Sequence, residues 1–226
     1  QNSLDAYNRA RDDGEKIIRD FHVAINIDEK CKKIVITDNG YGIRTNTLFN
    51  NRMLSIGGSD KVRDRMKYIG FRGIGRISGL PFCEKLTFRN KAKNSKKIQI
   101  CTWEGEKYRN LLDKEDTKED LESIIKKIIT FDEENINHEK TSEHFFEVVL
   151  EGYSEEIKGM MGGEAKFRER LIRMLPLKYK DNFKGAREIV TKYKGFMNES
   201  MERFTIPVTY NGENLFKTYD DKFILG

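Results

Sequence analysis

Two short runs limit the architecture more than anything else in the chain. "HVAINID" (22–28) and "KKIVITD" (32–38) both alternate apolar and polar residues with a period of two. That period gives a strand one buried face and gives a helix none. The charged link "EKCKK" between them reads as the turn of a hairpin. The second run passes without a break into "DNGYGI" (38–43), where glycine and asparagine mark a turn. A strand end that delivers a carboxylate and two glycines to one point is the frame for the rest.

Further strands are expected in "EKLTFRNKA" and "KKIQICTWEG" after Pro81, and in "HFFEVVLEGY". "IPVTYNGENLF" carries the Asn-Gly signal of a tight hairpin. Helices are expected over 2–13, with Gly14 as the stop, in "EKIIRDF" and in "RTNTLFNNRML". "EDLESIIKKII", "KGAREIVTKYKGFM" and "GEAKFRERLIRMLPLKY" also read as helices. In the last of these Phe167, Leu171 and Leu175 recur at four-residue spacing. Residues 55–80 read as a long glycine-rich loop feeding a helix that begins near Gly75. Strands and helices are partly segregated, so the fold class is α+β, with helices on one face of a mostly antiparallel sheet. The charge-dense stretch 106–140 reads as an insertion. The first domain is expected to span 1–203, with 204–226 beginning a second.

The 226 residues are enough for one sizeable core. With 42 basic and 37 acidic residues the net charge of +5 is a mild average and not a nucleic-acid footprint. Cys31, Cys83 and Cys101 are scattered, with no metal-ligand or disulfide spacing, which fits a reducing cytoplasm. No apolar run reaches the roughly 18 residues of a membrane span.

Three segments carry chemistry. In "NSLDA" (2–6), Asn2 and Asp5 lie one helical turn apart. An Asn carbonyl is a hard oxygen ligand suited to Mg²⁺, and the same pair also describes a plain polar helix face. In "DNGYGI", Gly40 and Gly42 permit close backbone approach, and Asp38 at a strand end can accept a hydrogen bond from an exocyclic amine. The same letters also describe an ordinary turn. In "GFRGIGRISG" (70–79), several glycines precede an apolar run, and backbone N–H groups there can cradle an anion. Ser59 and Lys61 in the nearby "GGSDK" are possible phosphate partners. The Gly-Lys-Ser/Thr ending of a P-loop is absent.

In order, the chain holds Asn-x-x-Asp-Ala on a helix, Asp-x-Gly-x-Gly at a strand end, and Gly-x-x-Gly-x-Gly. This resembles the GHKL, or Bergerat-fold, ATPase superfamily, which includes gyrase B, the ninety-kilodalton heat-shock chaperones, histidine kinases, MutL and MORC proteins. "IGGSDK" with "GIGRISG" looks most chaperone-like, whereas "GFRG" looks like MutL.

The resemblance implies a two-layer α/β sandwich with a glycine-rich ATP lid. It implies ATP and Mg²⁺ as cofactors, with Asn2 as the metal ligand and Asp38 on the adenine amine. Asp5 and Ala6 complete the first motif, Gly40 and Gly42 flank the base, and Asn51 lies near the ribose and phosphates. Gly70, Gly73 and Gly75 form the lid hinge, and Arg72 and Ile74 between them are also expected to bind the nucleotide.

The family's general base is a Glu one turn before the Asn, so the expected catalytic residue falls upstream of Gln1. The functional expectation is Mg-dependent ATP binding and hydrolysis by a chaperone-like domain that closes and dimerises on nucleotide. The alternatives are a non-hydrolysing ATP-binding module and a MutL- or MORC-like ATPase with DNA as partner. One departure stands out: "HFFEVV" lacks the Gly-Thr pair that the chaperones carry near the adenine.

Overall fold

The computed structural model of the chain describes residues 2–14, 20–55, 75, 77–113, 121–136, 143–180 and 205–217. The helices expected in "EKIIRDF" and in 184–197 lie wholly or mostly outside these residues. The first strands are β1 (Val23–Asp28) and β2 (Lys33–Asp38), which form the expected antiparallel hairpin. They are followed by β3 (Lys85–Lys91), β4 (Lys97–Glu104), β5 (Ile129–Asn135) and β6 (Phe145–Glu151), then by β7 (Val208–Tyr210) and β8 (Glu213–Leu215). All eight share one sheet in the order β5-β4-β3-β6-β2-β1-β7-β8. The β1–β7 pair is parallel and the others are antiparallel.

Register puts one apolar row across the five central strands. Trp103 pairs with Leu86, Leu86 with Leu150, Leu150 with Ile34, and Ile34 with Ile27. Helices cover this face. Helix α1 (Asn2–Asp12) and α6 (Glu164–Met174) pack through Leu4, Phe167 and Leu171 on Val23, Ile25, Val208 and Tyr210. Helix α2 (Asn46–Leu54) packs through Phe49 and Met53 on Leu86, Phe88 and Trp103. The other face is polar: Arg89 bridges Glu147 and Glu134, and Thr37 donates to Glu147. An open face of this kind is what period-two alternation produces in an antiparallel sheet.

The stretch read as an insertion is part of the body of the fold. Helix α3 (Gly105–Leu112) and α4 (Leu121–Ile128) bring Ile125 and Ile128 into the core beside Trp103, and β5 extends the sheet. The hairpin assigned to a following domain is likewise joined to this sheet. Asn211 and Gly212 have φ of 46° and 84°, the positive values a tight two-residue turn requires. Ile206, Val208, Tyr210 and Leu215 are buried in the α1–α6 core. Lys217 then donates from Nζ to the carbonyls of Ile172 (2.6 Å) and Arg173 (2.7 Å), capping the C-terminal end of α6.

The helix expected to begin near Gly75 does not form among the described residues. Gly75 and residues 77–79 are turns, followed by a single 3-10 turn, Leu80–Phe82. Pro81 explains this, because it disfavours helical geometry at the residue before it and removes an N–H donor. A short helix not foreseen in the sequence, α5 (Glu155–Met161), is capped by Ser154 and ends on Gly162 at φ 66°. No helix among the described residues is long and apolar enough to cross a membrane.

Gly105 opens α3 where a Cβ would lie 2.1 Å from the Cys83 carbonyl oxygen and 2.9 Å from that of Leu80. Gly105→Ala should therefore lower unfolding stability by about 2 kcal/mol, read from urea midpoints at constant slope.

No disulfide joins the three cysteines. Cys31 is exposed, whereas Cys83 and Cys101 are buried, and burial pushes the Cys83 thiol up to about 11. A thiol reagent at neutral pH should modify Cys31 alone in the native protein and reach the other two only on unfolding.

Candidate nucleotide site

The end of β2 and the chain that leaves it form the centre of the site. Asp38 is 8% exposed on the helix-covered face. Its Oδ2 accepts from the Ser3 hydroxyl of α1 at 2.6 Å, and its Oδ1 accepts from the Gly40 N–H at 3.0 Å. Burial raises its pKa above the usual carboxylate value, and the Ser3 and Gly40 hydrogen bonds oppose that rise without cancelling it. A carboxylate offers about four lone-pair sites, so two remain for a further donor. Beside it Phe21 stacks on Tyr7 of α1, with ring centroids 4.3 Å apart.

The crossover 39–45 is held residue by residue. The Asn39 side chain accepts from the His22 N–H and donates to the Asp20 carbonyl. A ring nitrogen of His144 lies 2.9 Å from the Gly40 carbonyl, and the Lys93 N–H donates to that of Tyr41 at 2.9 Å. Gly42 has φ 67°, and a Cβ there would lie 2.7 Å from Asn90 Oδ1 and 2.8 Å from the Lys91 carbonyl. Ile43 is held through both its backbone groups by the buried Asn90 side chain. Thr45 then caps α2 by accepting from the Leu48 N–H.

Of the residues singled out from sequence, Asp38, Gly40 and Gly42 are brought together here. The first turn of α1, which Asn2 opens, is docked against them through Ser3. Asp5 is 1% exposed and points into the interior with Leu4 and Asn8, while Ala6 is exposed. Asn51 is exposed on α2, which packs over β4 and α4; no described contact joins it to Asp38. Gly75 is exposed in a turn, and its carbonyl accepts from the Ser78 hydroxyl. Ser59, Lys61, Gly70, Arg72, Gly73 and Ile74 lie outside the described residues.

Sequence reading missed Ser3, Asn90 and His144. Ser3 sat inside the quoted "NSLDA". Asn90 was visible as the third member of a period-two series, Leu86, Phe88, Asn90, which places an amide on the apolar face.

A model of the histidine kinase-, DNA gyrase B- and HSP90-like ATPase family matches residues 1–141. Among solved structures, the ATPase and transducer domains of DNA topoisomerase II from Balamuthia mandrillaris superpose with a TM-score of 0.53 at 13% identity. That match covers 95% of this chain and 45% of the other. The ATPase region of Saccharomyces cerevisiae topoisomerase II gives 0.52 at 14% identity, over 95% and 46%. The chain thus spans under half the length of these structures, and at such identity the likeness is one of fold. No curated protein matches the chain.

Proposed function

The chain belongs to the histidine kinase-, DNA gyrase B- and HSP90-like ATPase family, and from that membership we propose that it binds ATP with Asp38 as the group that reads the base. One observation carries the reading. A carboxylate buried at a strand end keeps lone pairs free after satisfying Ser3 and Gly40. The exocyclic amine at C6 of adenine is a donor such a group fits, whereas guanine presents a carbonyl at C6.

The metal end of the proposal rests on Asn2, which opens the helix that Ser3 docks at Asp38. An Asn carbonyl suits Mg²⁺, whose remaining ligands are water and phosphate oxygens. Bound there, Mg²⁺ would supply charge neutralisation to the phosphates. Hydrolysis belongs to the same proposal, through a Glu one turn before Asn2, as do a lid from the 70–75 glycines and dimerisation on nucleotide in a chaperone-like cytoplasmic ATPase. Asn51, Ser59 and Lys61 are proposed on the sugar and phosphate side.

Calorimetry with ATP and GTP in the presence of Mg²⁺ tests the central claim. Saturable ATP binding with clear preference over GTP is expected, and no binding, or equal binding, would refute it. Phosphate release from a chain carrying the upstream helical turn separates an ATPase from a binding module. DNA binding that weakens steeply with salt would instead favour a MutL- or MORC-like role.

A further inference from the structure

Asp38 lies in a row of side chains that crosses the sheet at one height. In register with it are Phe146 on β6, Asn90 on β3, Gln99 on β4 and Glu133 on β5. The chain leaving β2 must travel along this row, because α2, its destination, packs over β4. A backbone crossing the edge of an apolar core has N–H and C=O groups that need partners. Asn90 of this row provides them at Ile43, and Gln99 holds Asn90.

Asn90 is 0% exposed, and its carboxamide takes both backbone groups of Ile43. Oδ1 accepts from the Ile43 N–H at 2.7 Å, and Nδ2 donates to the Ile43 carbonyl at 2.9 Å. The second Nδ2 hydrogen goes to Gln99 Oε1 at 2.6 Å. Gln99 is 9% exposed, so this is a buried pair, and its acceptor fixes which way the Asn90 amide faces. Farther along, Glu133 accepts from the Asn46 side chain at 2.7 Å, at the start of α2. Between these points Gly42 rests on Asn90 so closely that no Cβ fits.

We infer that Asn90, oriented by Gln99, is a positioning residue for nucleotide recognition. It holds residues 40–43 in the binding geometry before the ligand arrives. The carboxamide acts as a one-residue stand-in for a neighbouring strand, pairing with both faces of the Ile43 peptide units. Both its N–H donors are used and its side chain is fully buried, so it acts through Asp38, Gly40 and Gly42. The inference rests on the ATP-site reading above. If the loop without its clamp spends a tenth of its time in the competent shape, apparent affinity falls about tenfold with no contact to ligand removed.

The test compares wild type, Asn90→Ala and Gln99→Met in the full chain. Affinities for ATP and GTP are measured with hydrogen exchange at the Ile43 amide and with the thermal midpoint. Asn90→Ala should weaken ATP about tenfold, lower the thermal midpoint and accelerate exchange at Ile43. Gln99→Met keeps the side-chain volume and should move all three in the same direction by a smaller factor, which keeps the test open if Asn90→Ala folds poorly. A role in stability alone lowers the midpoint and leaves the ATP affinity of the folded molecules intact; that outcome in both variants would overturn the inference. A wild type that binds no ATP refutes the nucleotide reading instead. The clamp is then judged on exchange alone, supported by acceleration at Ile43 and refuted by its absence.

Discussion

Asp38→Asn should weaken ATP binding by roughly 100- to 1,000-fold while leaving the domain folded, and calorimetry reads the loss directly. The substitution changes almost no volume. Ser3 can turn its hydroxyl to accept from the new amide, and the Gly40 N–H keeps an oxygen acceptor. What changes is the group shown to the base. A donor then faces the adenine amine, so a charge-assisted bond is lost and a buried donor is left without a partner. Together these cost about 3–4 kcal/mol, which is the factor of 100 to 1,000.

The stability of the unliganded protein should move the other way. Burial raises the Asp38 pKa in the folded state. A carboxylic acid with a raised folded pKa binds its proton more readily when folded. Its stabilising contribution is therefore present below the unfolded pKa, about 4, and is lost as pH rises through the folded value. At pH 7 Asp38→Asn should unfold at a higher temperature than wild type, and the gap should close on acidification toward pH 4. Equal affinity for ATP in the variant would remove Asp38 from base recognition. A lower melting temperature at pH 7 would mean that the Ser3 and Gly40 hydrogen bonds outweigh burial.

How much of this was legible in the sequence depended on range. The β1–β2 hairpin, the 3.6-residue pattern of α6 and the Asn-Gly turn before β8 are local, and periodicity or turn chemistry reports them. The contribution of α3, α4 and β5 to the core was not legible, because charge density in 106–140 masks the few apolar residues, Ile125 and Ile128 among them, that reach Trp103. The parallel pairing of β7 with β1 spans more than 180 positions and leaves no local trace. The site divides the same way. Asp38, Gly40 and Gly42 stood out as a short motif, whereas Asn90 on β3 and His144 just before β6 are distant in the chain and meet the motif only in the fold.

Gly42→Ala should be the most damaging single methyl group in the site, and Gly40→Ala separates its causes. The two glycines look equivalent in Asp-x-Gly-x-Gly, and sequence reasoning gave both the task of letting a ligand approach. At Gly42 the protein itself already fills the space. A Cβ would meet Asn90 Oδ1 at 2.7 Å, the Lys91 carbonyl at 2.8 Å and the Ala92 Cα at 3.1 Å, on a residue with φ 67°. The left-handed geometry alone costs alanine about 1 kcal/mol. Relieving the contacts means pulling Ile43 off Asn90, which forfeits two buried hydrogen bonds worth about 1 kcal/mol each. The sum is about 3 kcal/mol, and it falls on the loop, which can move off the β3 residues Asn90 and Lys91 while the strand pairing stays in place. Exchange at residues 40–43 should accelerate, and ATP affinity should drop about 100-fold, with far-UV circular dichroism unchanged. Gly40 has ordinary φ, and its Cβ would meet chiefly a side chain, Asp38 Oδ1 at 2.8 Å. Gly40→Ala should therefore push the carboxylate aside and weaken ATP while exchange at Ile43 stays slow. If both variants lose ATP with equally fast exchange, the loop folds as one unit and the clamp at Ile43 has no separate role. If neither loses ATP, the base does not lie against this loop.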